Sequence, residues 1–150
     1  MNQVIDKPAS AGAVMARHLQ LIGSDIAAWL GMLAPNAVIE FPYDASLGLP
    51  VRIDGAEAIA TYMNSVGSSL GSFEFSNIDI MESVGGSEAW ASFHGESTAE
   101  TGRLYSQDYA ALMKVSDGRI TFYREFWNPC RVAYALGTPL VIDEASGSQA

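Results

Sequence analysis

The second half of the chain, from Phe73 to Trp127, consists of β-forming segments separated by short turns. Aromatic and β-branched residues recur in each segment, and both classes favour extended, half-buried structure. The turns at Gly85-Gly86 and 116–119 contain glycine, as β-hairpin connections often do. Four strands are therefore predicted, and they correspond to FEFSNIDIME, SEAWASFHGESTAE, RLYSQDYAALMKV and RITFYREFW. Because hairpins join antiparallel strands, this half of the chain predicts an antiparallel sheet that needs cover on one face.

The N-terminal part of the chain predicts two helices in tandem. Helix-favouring residues fill the stretch from Ala11 to Leu33, and Gly23-Ser24 interrupts them. Ser24 and Asp25 suit the N-cap of a second helix, because their side chains can accept from free backbone N–H groups. We expect that helix to end at Pro35-Asn36.

The remaining elements alternate between strand and helix. AVIEFPYD predicts a strand, and Pro42 within it favours an edge position or a bulge over a central strand. VRI predicts a short extended piece, and Asp54-Gly55 opens a third helix that runs through Tyr62 and Val66 to end at GSSLGS. After Asn128-Pro129, CRVAYALG predicts one or two helical turns.

This order of elements predicts an α+β fold. Three helices pack over the concave face of a curved, cone-shaped, mixed or antiparallel sheet, which leaves a conical cavity beneath them. The 150 residues fit a single domain over 1–150, with frayed tails at about 1–10 and 140–150.

Composition and charge narrow the possible partners. Hydrophobic residues make up 49% of the chain, enough for a core, and 8 basic against 17 acidic residues give a net charge of −9. This negative field disfavours nucleic acid and anionic membrane surfaces. The chain has no apolar run of membrane-spanning length, no N-terminal signal pattern and a single cysteine, Cys130. We therefore expect a cytoplasmic protein.

Motifs for metals and cofactors are absent from the sequence. The two histidines and one cysteine lack metal-ligand spacing, and neither a dinucleotide fingerprint, a P-loop nor a GxSxG nucleophile motif occurs. The sequence thus predicts no metal and no cofactor.

Five motifs resemble the nuclear-transport-factor-two-like superfamily, which includes SnoaL-like proteins, ketosteroid isomerase, polyketide cyclases and limonene epoxide hydrolase. The similarity is strongest to the phenazine-biosynthesis A/B group. The motifs are GLPVRIDG (48–55), YSQDY (105–109), DGRI (117–120), REFWNPC (124–130) and ALG (135–137).

The resemblance implies a cone-shaped, cystatin-like α+β barrel with a ligand pocket and a homodimer built on the sheet. It implies that Glu125 is a general acid/base that faces the pocket. The phenazine group has a histidine where this chain has Tyr62, and a phenol does not exchange protons near pH 7 as an imidazole does. The phenazine condensation itself is therefore not predicted for this chain.

Alternation along the last strand groups Glu125 with Thr121, Tyr123 and Trp127 on one face. Tyr123 and Trp127, together with Tyr62 of the third helix, are therefore candidates for substrate contact. A carboxyl group among aromatic rings has a raised pKa, which suits acid/base work near neutrality. The alternative is a structural ion pair with Arg119 or Arg103. The opposite face carries Ile120, Phe122, Arg124 and Phe126, and we expect its apolar residues to be covered by a second copy of the chain.

The neighbouring strand offers hydrogen-bond donors for a substrate oxygen. Tyr105, Gln107 and Tyr109 share one face, and their O–H and N–H groups could hold a carbonyl or hydroxyl oxygen where charge develops. Ketosteroid isomerase stabilises an enolate with donors of this kind, and its chemistry serves as an analogy for this strand. The tyrosines could equally be ordinary strand residues of a half-buried sheet.

The other candidates have more than one interpretation. His94 could pass protons to Glu125, but Ala91 and Phe93 mark the more apolar face of its strand, so an outer position is the alternative. Tyr43 is a candidate for the pocket rim.

Three further ionisable residues are given no role in the site. The carboxylates that flank the Phe41-Pro42-Tyr43 segment, Glu40 and Asp44, are expected to be solvated loop charges. His18 in the first helix is expected to be a packing or surface residue.

Three functions fit these residues. The first is a cofactor-independent isomerase, cyclase or dehydratase that acts on a small, mostly apolar carbonyl or cyclic metabolite through Glu125. The second is a ligand-binding protein without turnover. The third is a structural subunit like the β component of ring-hydroxylating dioxygenases. An open cavity argues against the third function, and an ionisable group in its wall favours the first.

Overall fold

A computed structural model describes residues 7–141. The helices are α1 (Ala11–Leu21), α2 (Ile26–Leu30), α3 (Ala56–Leu70) and α4 (Pro129–Leu136), and a 3-10 turn spans Asp44–Leu47. The strands are β1 (Leu33–Glu40), β2 (Arg52–Asp54), β3 (Glu74–Glu82), β4 (Glu88–Thr98), β5 (Leu104–Ser116) and β6 (Arg119–Phe126). The predicted frayed tails lie mostly outside the described residues.

The six strands form one curled, unclosed sheet in the order β2-β1-β6-β5-β4-β3. The four hairpin-connected strands are antiparallel, as their short turns predict, and β1 pairs in parallel with β6. This parallel pair joins the N-terminal part of the chain to its last strand. The predicted α+β class with helices over a curved, mixed sheet is confirmed, and α4 corresponds to the one or two helical turns predicted after Asn128-Pro129.

The boundaries around β1 correct two expectations. The second helix ends at Leu30, and β1 begins at Leu33, so Pro35-Asn36 lies inside the strand at a shift of register against β6. β1 is an internal strand between β2 and β6, which is contrary to the expected edge position. Pro42 does not disturb the pairing, because the strand has already ended at Glu40.

The third helix is longer than its sequence predicts. α3 continues through the small polar residues after Val66 and ends at Leu70, which is buried in the core. Gly71 follows with a positive φ of 73°, and a Cβ there would lie 2.8 Å from the Thr98 carbonyl oxygen. The helix therefore ends where its backbone comes close to that of Thr98, and only glycine tolerates this contact at this φ.

The core lies between the helices and one face of the sheet. Alternation along β4 and β5 buries the residues that face the helices, among them Ala89, Ala91, Phe93, Ala111 and Met113. The helices contribute Met15, Trp29 and Ile59, all fully buried. No helix within residues 7–141 is long and apolar enough to cross a membrane.

A bulge moves Ile120 away from its predicted face. Ile120 opposes Val115 across the β5–β6 ladder, but Phe122 opposes Lys114, so the register shifts between them. Simple alternation would group Ile120 with Phe122 on the outer face. The extra residue instead turns Ile120 inward, where it is fully buried in the core.

Candidate active site

A cavity of about 600 Å³ lies between the helices and the helix-covered face of the sheet. Its volume is in the range of small-molecule sites. Apolar side chains form most of the wall, and they include Phe41, Phe73, Phe75, Phe93, Trp127 and Val132. The ionisable side chains in the wall are His18, Asp44, Tyr62, Tyr105, Tyr109 and Glu125.

Glu125 lies in this wall because β6 turns it to the same face as Tyr123. The Tyr123 hydroxyl donates to Glu125 Oε2 at 2.5 Å. Burial raises the pKa of Glu125 to about 7, although the Tyr123 hydrogen bond acts to lower it, and the charge of Asp44 raises it further. A carboxyl group with this pKa exists in both protonation states near neutral pH, as acid/base catalysis requires.

Neither arginine proposed as a structural partner of Glu125 contacts it. Arg119 donates to the backbone carbonyls of Gly31 and Leu33. Arg103 donates to the carbonyl of Tyr134 and lies over its ring.

Asp44 is the second carboxyl group of the cavity, and its expected position as a solvated loop charge is wrong. It lies in the 3-10 turn after β1 and is only 1% exposed. The Tyr62 hydroxyl donates to its Oδ2 at 2.7 Å, while Oδ1 has no hydrogen-bond partner among the described residues. Burial raises the pKa of Asp44 to about 6, against the lowering effect of the Tyr62 hydrogen bond. The sequence pattern missed it because a single aspartate in a loop gives no sign of burial.

Tyr62 projects from α3 into the wall, as expected for the position that aligns with a histidine in the phenazine group. Burial raises the pKa of its phenol far above the usual value, and the neighbouring Asp44 raises it further. Tyr62 therefore stays protonated, and it donates to a carboxylate instead of exchanging protons.

His18 also belongs to the cavity wall, a position that its sequence context did not predict. It is 1% exposed, and its Nδ1 accepts from Trp29 Nε1 at 2.7 Å. Burial lowers the pKa of His18 to about 3, so the ring is neutral near pH 7. The position of His18 on the apolar stripe of α1 was the available signal, because a histidine there must be buried together with Val14 and Leu21.

Tyr105 and Tyr109 line the cavity as predicted. The Tyr109 hydroxyl donates to the Tyr105 hydroxyl at 3.0 Å. Burial raises the pKa of Tyr105 to about 12 and that of Tyr109 still higher, so both phenols remain protonated donors. Phe75 and Phe93 pack against the Tyr109 ring.

Gln107 is buried on the predicted face, but it is not part of the cavity wall. Its Nε2 donates to the Asn128 carbonyl at 2.9 Å, and the Asn128 N–H donates to its Oε1 at 3.0 Å. The Gln107 side-chain amide thus bonds both backbone groups of Asn128, as a neighbouring peptide group would, at the point where β6 leads into α4. Because both ends of the amide are engaged, Gln107 does not hold a substrate oxygen here, contrary to its predicted role.

His94 and Tyr43 also lie outside the cavity wall. β4 turns His94 to the outer face of the sheet, where it contacts Asp108 at 2.7 Å and Glu96 at 3.2 Å. The period of two that buries Phe93 excludes His94 from the same face. Tyr43 is 46% exposed, and its ring packs edge-on against Phe126.

The sequence of the chain matches the model of the SnoaL-like domain over residues 16–123. The chain belongs to the SnoaL-like domain family. A PhzA/B-like protein of Pseudomonas aeruginosa, named as uncharacterized, is 33% identical over 130 residues, which cover 85% of this chain and 91% of that protein.

Solved structures with the SnoaL-like fold agree with the family assignment. A protein from Bacillus subtilis that is named as a candidate isomerase has 32% sequence identity and a TM-score of 0.77, covering 85% of this chain and 92% of its own. A phenazine biosynthesis-related protein from Pseudomonas aeruginosa has a TM-score of 0.72 at 18% identity, covering 91% of both chains. At that identity the second likeness concerns the fold alone.

Proposed function

We propose that this SnoaL-like protein is a cofactor-independent acid/base enzyme, an isomerase, cyclase or dehydratase, for a small apolar carbonyl or cyclic compound. The observation that carries the proposal is Glu125, which has a pKa of about 7 in the wall of an open, mostly apolar cavity. The name of the Bacillus subtilis relative, a candidate isomerase, supports the same reaction class.

The two carboxyl groups suit opposite roles at neutral pH. With a pKa of about 6, Asp44 is mostly ionised and can accept a proton from carbon next to a carbonyl group. With a pKa of about 7, Glu125 is partly protonated and can donate a proton to another atom of the same substrate. Acceptance by one group and donation by the other moves a proton within the substrate. Asp44 then releases its proton to water and Glu125 takes one from water, which restores the starting state.

The remaining polar groups stabilise this arrangement. Tyr62 and Tyr123 each hold one carboxyl oxygen and so orient Asp44 and Glu125. The Tyr105 hydroxyl lies in the same wall and accepts from Tyr109, so its own O–H is free to donate to an oxygen that gains negative charge.

The alternative functions find less support in the cavity. A purely structural subunit would fill this space with side chains, yet about 600 Å³ remains open. A binding protein without turnover would have no need of two carboxyl groups with raised pKa values in the wall.

We also propose that the protein is a cytoplasmic homodimer that associates through the outer face of the sheet. Trp90 stacks on Phe126 there with ring centroids 6.4 Å apart, and Trp90 is still 43% exposed. Met81 and Ile78 on β3 are also exposed. Apolar groups that adjoin in this way favour burial against a second copy.

The test of the enzymatic function is proton exchange. The protein is incubated in D₂O with a panel of cyclic ketones and polyketide-like enones, and mass spectrometry measures deuterium incorporated next to the carbonyl group. We expect incorporation by the wild type, a loss of about 100-fold or more in Asp44→Asn, which removes the proton acceptor, and a loss of isomerised product in Glu125→Gln, which removes the proton donor. A folded wild type that exchanges none of these compounds, while binding them, would favour a binding protein.

A further inference from the structure

His18 and Trp29 form a buried pair next to the cavity. The Trp29 indole N–H donates to His18 Nδ1 at 2.7 Å, and Trp29 is fully buried. The Tyr123 ring covers His18 with ring centroids 4.5 Å apart. The other ring nitrogen, Nε2, is buried and has no hydrogen-bond partner among the described residues.

This contact decides the tautomer of His18. An indole N–H only donates, so Nδ1 must present a lone pair to Trp29. A neutral imidazole then carries its proton on Nε2, and a doubly protonated ring would direct an N–H against the indole N–H. Nε2 is therefore an N–H donor without an acceptor among residues 7–141, and a buried donor in this state costs free energy.

The charges of the cavity wall add a second constraint. Asp44 and Glu125 contribute two carboxyl groups, and the lining that the structure describes contains no lysine or arginine. A ligand carboxylate would meet no cationic partner and two groups that repel it. A neutral ligand avoids this cost.

We infer that the cavity selects neutral ligands that present a carbonyl oxygen to His18 Nε2–H, with Trp29 as the residue that positions the imidazole, and that it excludes carboxylates. The inference rests on the proposed function only in taking this cavity as the ligand site. It requires binding and not turnover. His18 sets specificity through the donor, and Trp29 acts through His18.

The first experiment uses nitrogen NMR on wild-type protein labelled with ¹⁵N-histidine at pH 7. His18 and His94 are the two histidines of the chain, so His94→Gln assigns the spectrum. We expect His18 as the neutral tautomer with its proton on Nε2. A proton on Nδ1, or a charged ring, would overturn the inference without any variant that risks the fold.

The second experiment compares three probes of similar shape: 1-indanone, indane and indane-2-carboxylate. Calorimetry or NMR titration measures each Kd for the wild type. We expect 1-indanone to bind about tenfold tighter than indane, because it gives the Nε2–H an acceptor, and to shift the Nε2–H resonance. We expect indane-2-carboxylate to bind more weakly than indane. Equal affinities for the ketone and the hydrocarbon, or preferred binding of the carboxylate, would contradict the inference.

Variants separate the donor from its positioning residue. In Trp29→Phe the aromatic ring stays but the tautomer is no longer fixed, so we expect the ketone preference to decrease. His18→Phe removes the donor and the preference together, and the outer-face variant His94→Gln keeps both. Circular dichroism shows which variants fold.

If the ketone preference is present in the wild type but deuterium exchange is absent, the specificity stands and the proposed enzyme function fails. If deuterium exchange is present but the ketone preference is absent, the proposed enzyme function stands and the inferred specificity fails.

Discussion

The Tyr123 hydroxyl lies 2.5 Å from Glu125 Oε2, and the two residues are two positions apart on β6. This spacing places both side chains on the helix-covered face of the sheet. Contrary to its predicted contact with substrate, Tyr123 is itself buried and does not belong to the cavity wall, so it contacts Glu125 from the core side. The Tyr123 hydrogen bond thus orients the carboxyl group of Glu125 in a mostly apolar cavity and limits the rise of its pKa.

Removing this hydrogen bond changes the pKa of Glu125 in a defined direction. The Tyr123 hydroxyl stabilises the ionised carboxylate, so Tyr123→Phe should raise the pKa of Glu125 above its value of about 7, by about 1. ¹³C NMR of the labelled glutamate carboxyl groups follows the titration, with Glu125→Gln as the assignment control. An unchanged or lowered pKa in Tyr123→Phe would show that the phenol does not stabilise the anion.

The raised pKa of Glu125 also makes the folded state less stable as pH rises. The pKa is about 7 in the fold against 4.5 for a free glutamate, so the folded state binds more protons between these values. The contribution of Glu125 to unfolding free energy therefore falls as pH increases from about 4.5 to 7 and stays low above. We expect Glu125→Gln to be more stable than the wild type at pH 8, by roughly 2 kcal/mol, and about equal at pH 4.

Urea denaturation of both proteins at pH 4 and pH 8 measures this difference. His18 has the opposite effect, because its pKa falls from 6.5 to about 3 on folding and stability is lost as pH drops below 6.5. That effect is common to both proteins and cancels in the comparison. A Glu125→Gln variant that loses stability at pH 8 would mean that the carboxylate makes favourable contacts which outweigh its burial.

Local patterns in the sequence predicted one part of the candidate site. The period of two along β5 and β6 placed Tyr105, Tyr109, Glu125 and Trp127 on one face, and all four line the cavity, whereas Gln107 and Tyr123 share that face but lie outside the cavity wall. Turn residues and hairpin lengths likewise predicted the antiparallel strands. The faces of the strands and the hairpin turns depend on residues that are neighbours in the chain, so the sequence predicts them without knowledge of distant contacts.

The other part of the site depends on contacts between distant segments. The 3-10 turn that carries Asp44 packs against α4, and the hydrogen bond of Asp44 to Tyr62 on α3 spans 18 positions. Gln107 faces inward as alternation predicts, but its partner Asn128 lies 21 positions away. The parallel pairing of β1 with β6 is equally non-local. Because the local sequence around Leu33 favours helix and does not show this pairing, the sequence placed Leu33 in a helix.

Gln107 should act on stability and not on catalysis. Gln107→Leu leaves the N–H and C=O of Asn128 without their partner, which should cost about 1 to 3 kcal/mol of unfolding free energy. We expect deuterium exchange per folded molecule to stay within a factor of about 3 of the wild type, a change smaller than loss of one hydrogen-bonded catalytic group produces. Denaturation and exchange assays on the same samples give both values. A stable variant with strongly reduced deuterium exchange would show that Gln107 takes part in the reaction after all.

The exposed pair of Trp90 and Phe126 provides the test of dimerisation. If a second copy covers the outer face, sedimentation at micromolar concentration should give about twice the 16.0 kDa chain mass. Trp90→Lys places a charge in that interface and should shift the protein to monomers, because an unpaired buried charge is costly. Arg17→Glu, an exposed change on α1 away from this face, is the control and should leave the dimer intact. A wild type that sediments as a 16.0 kDa species would contradict the proposed association and leave the aromatic pair as an exposed surface feature.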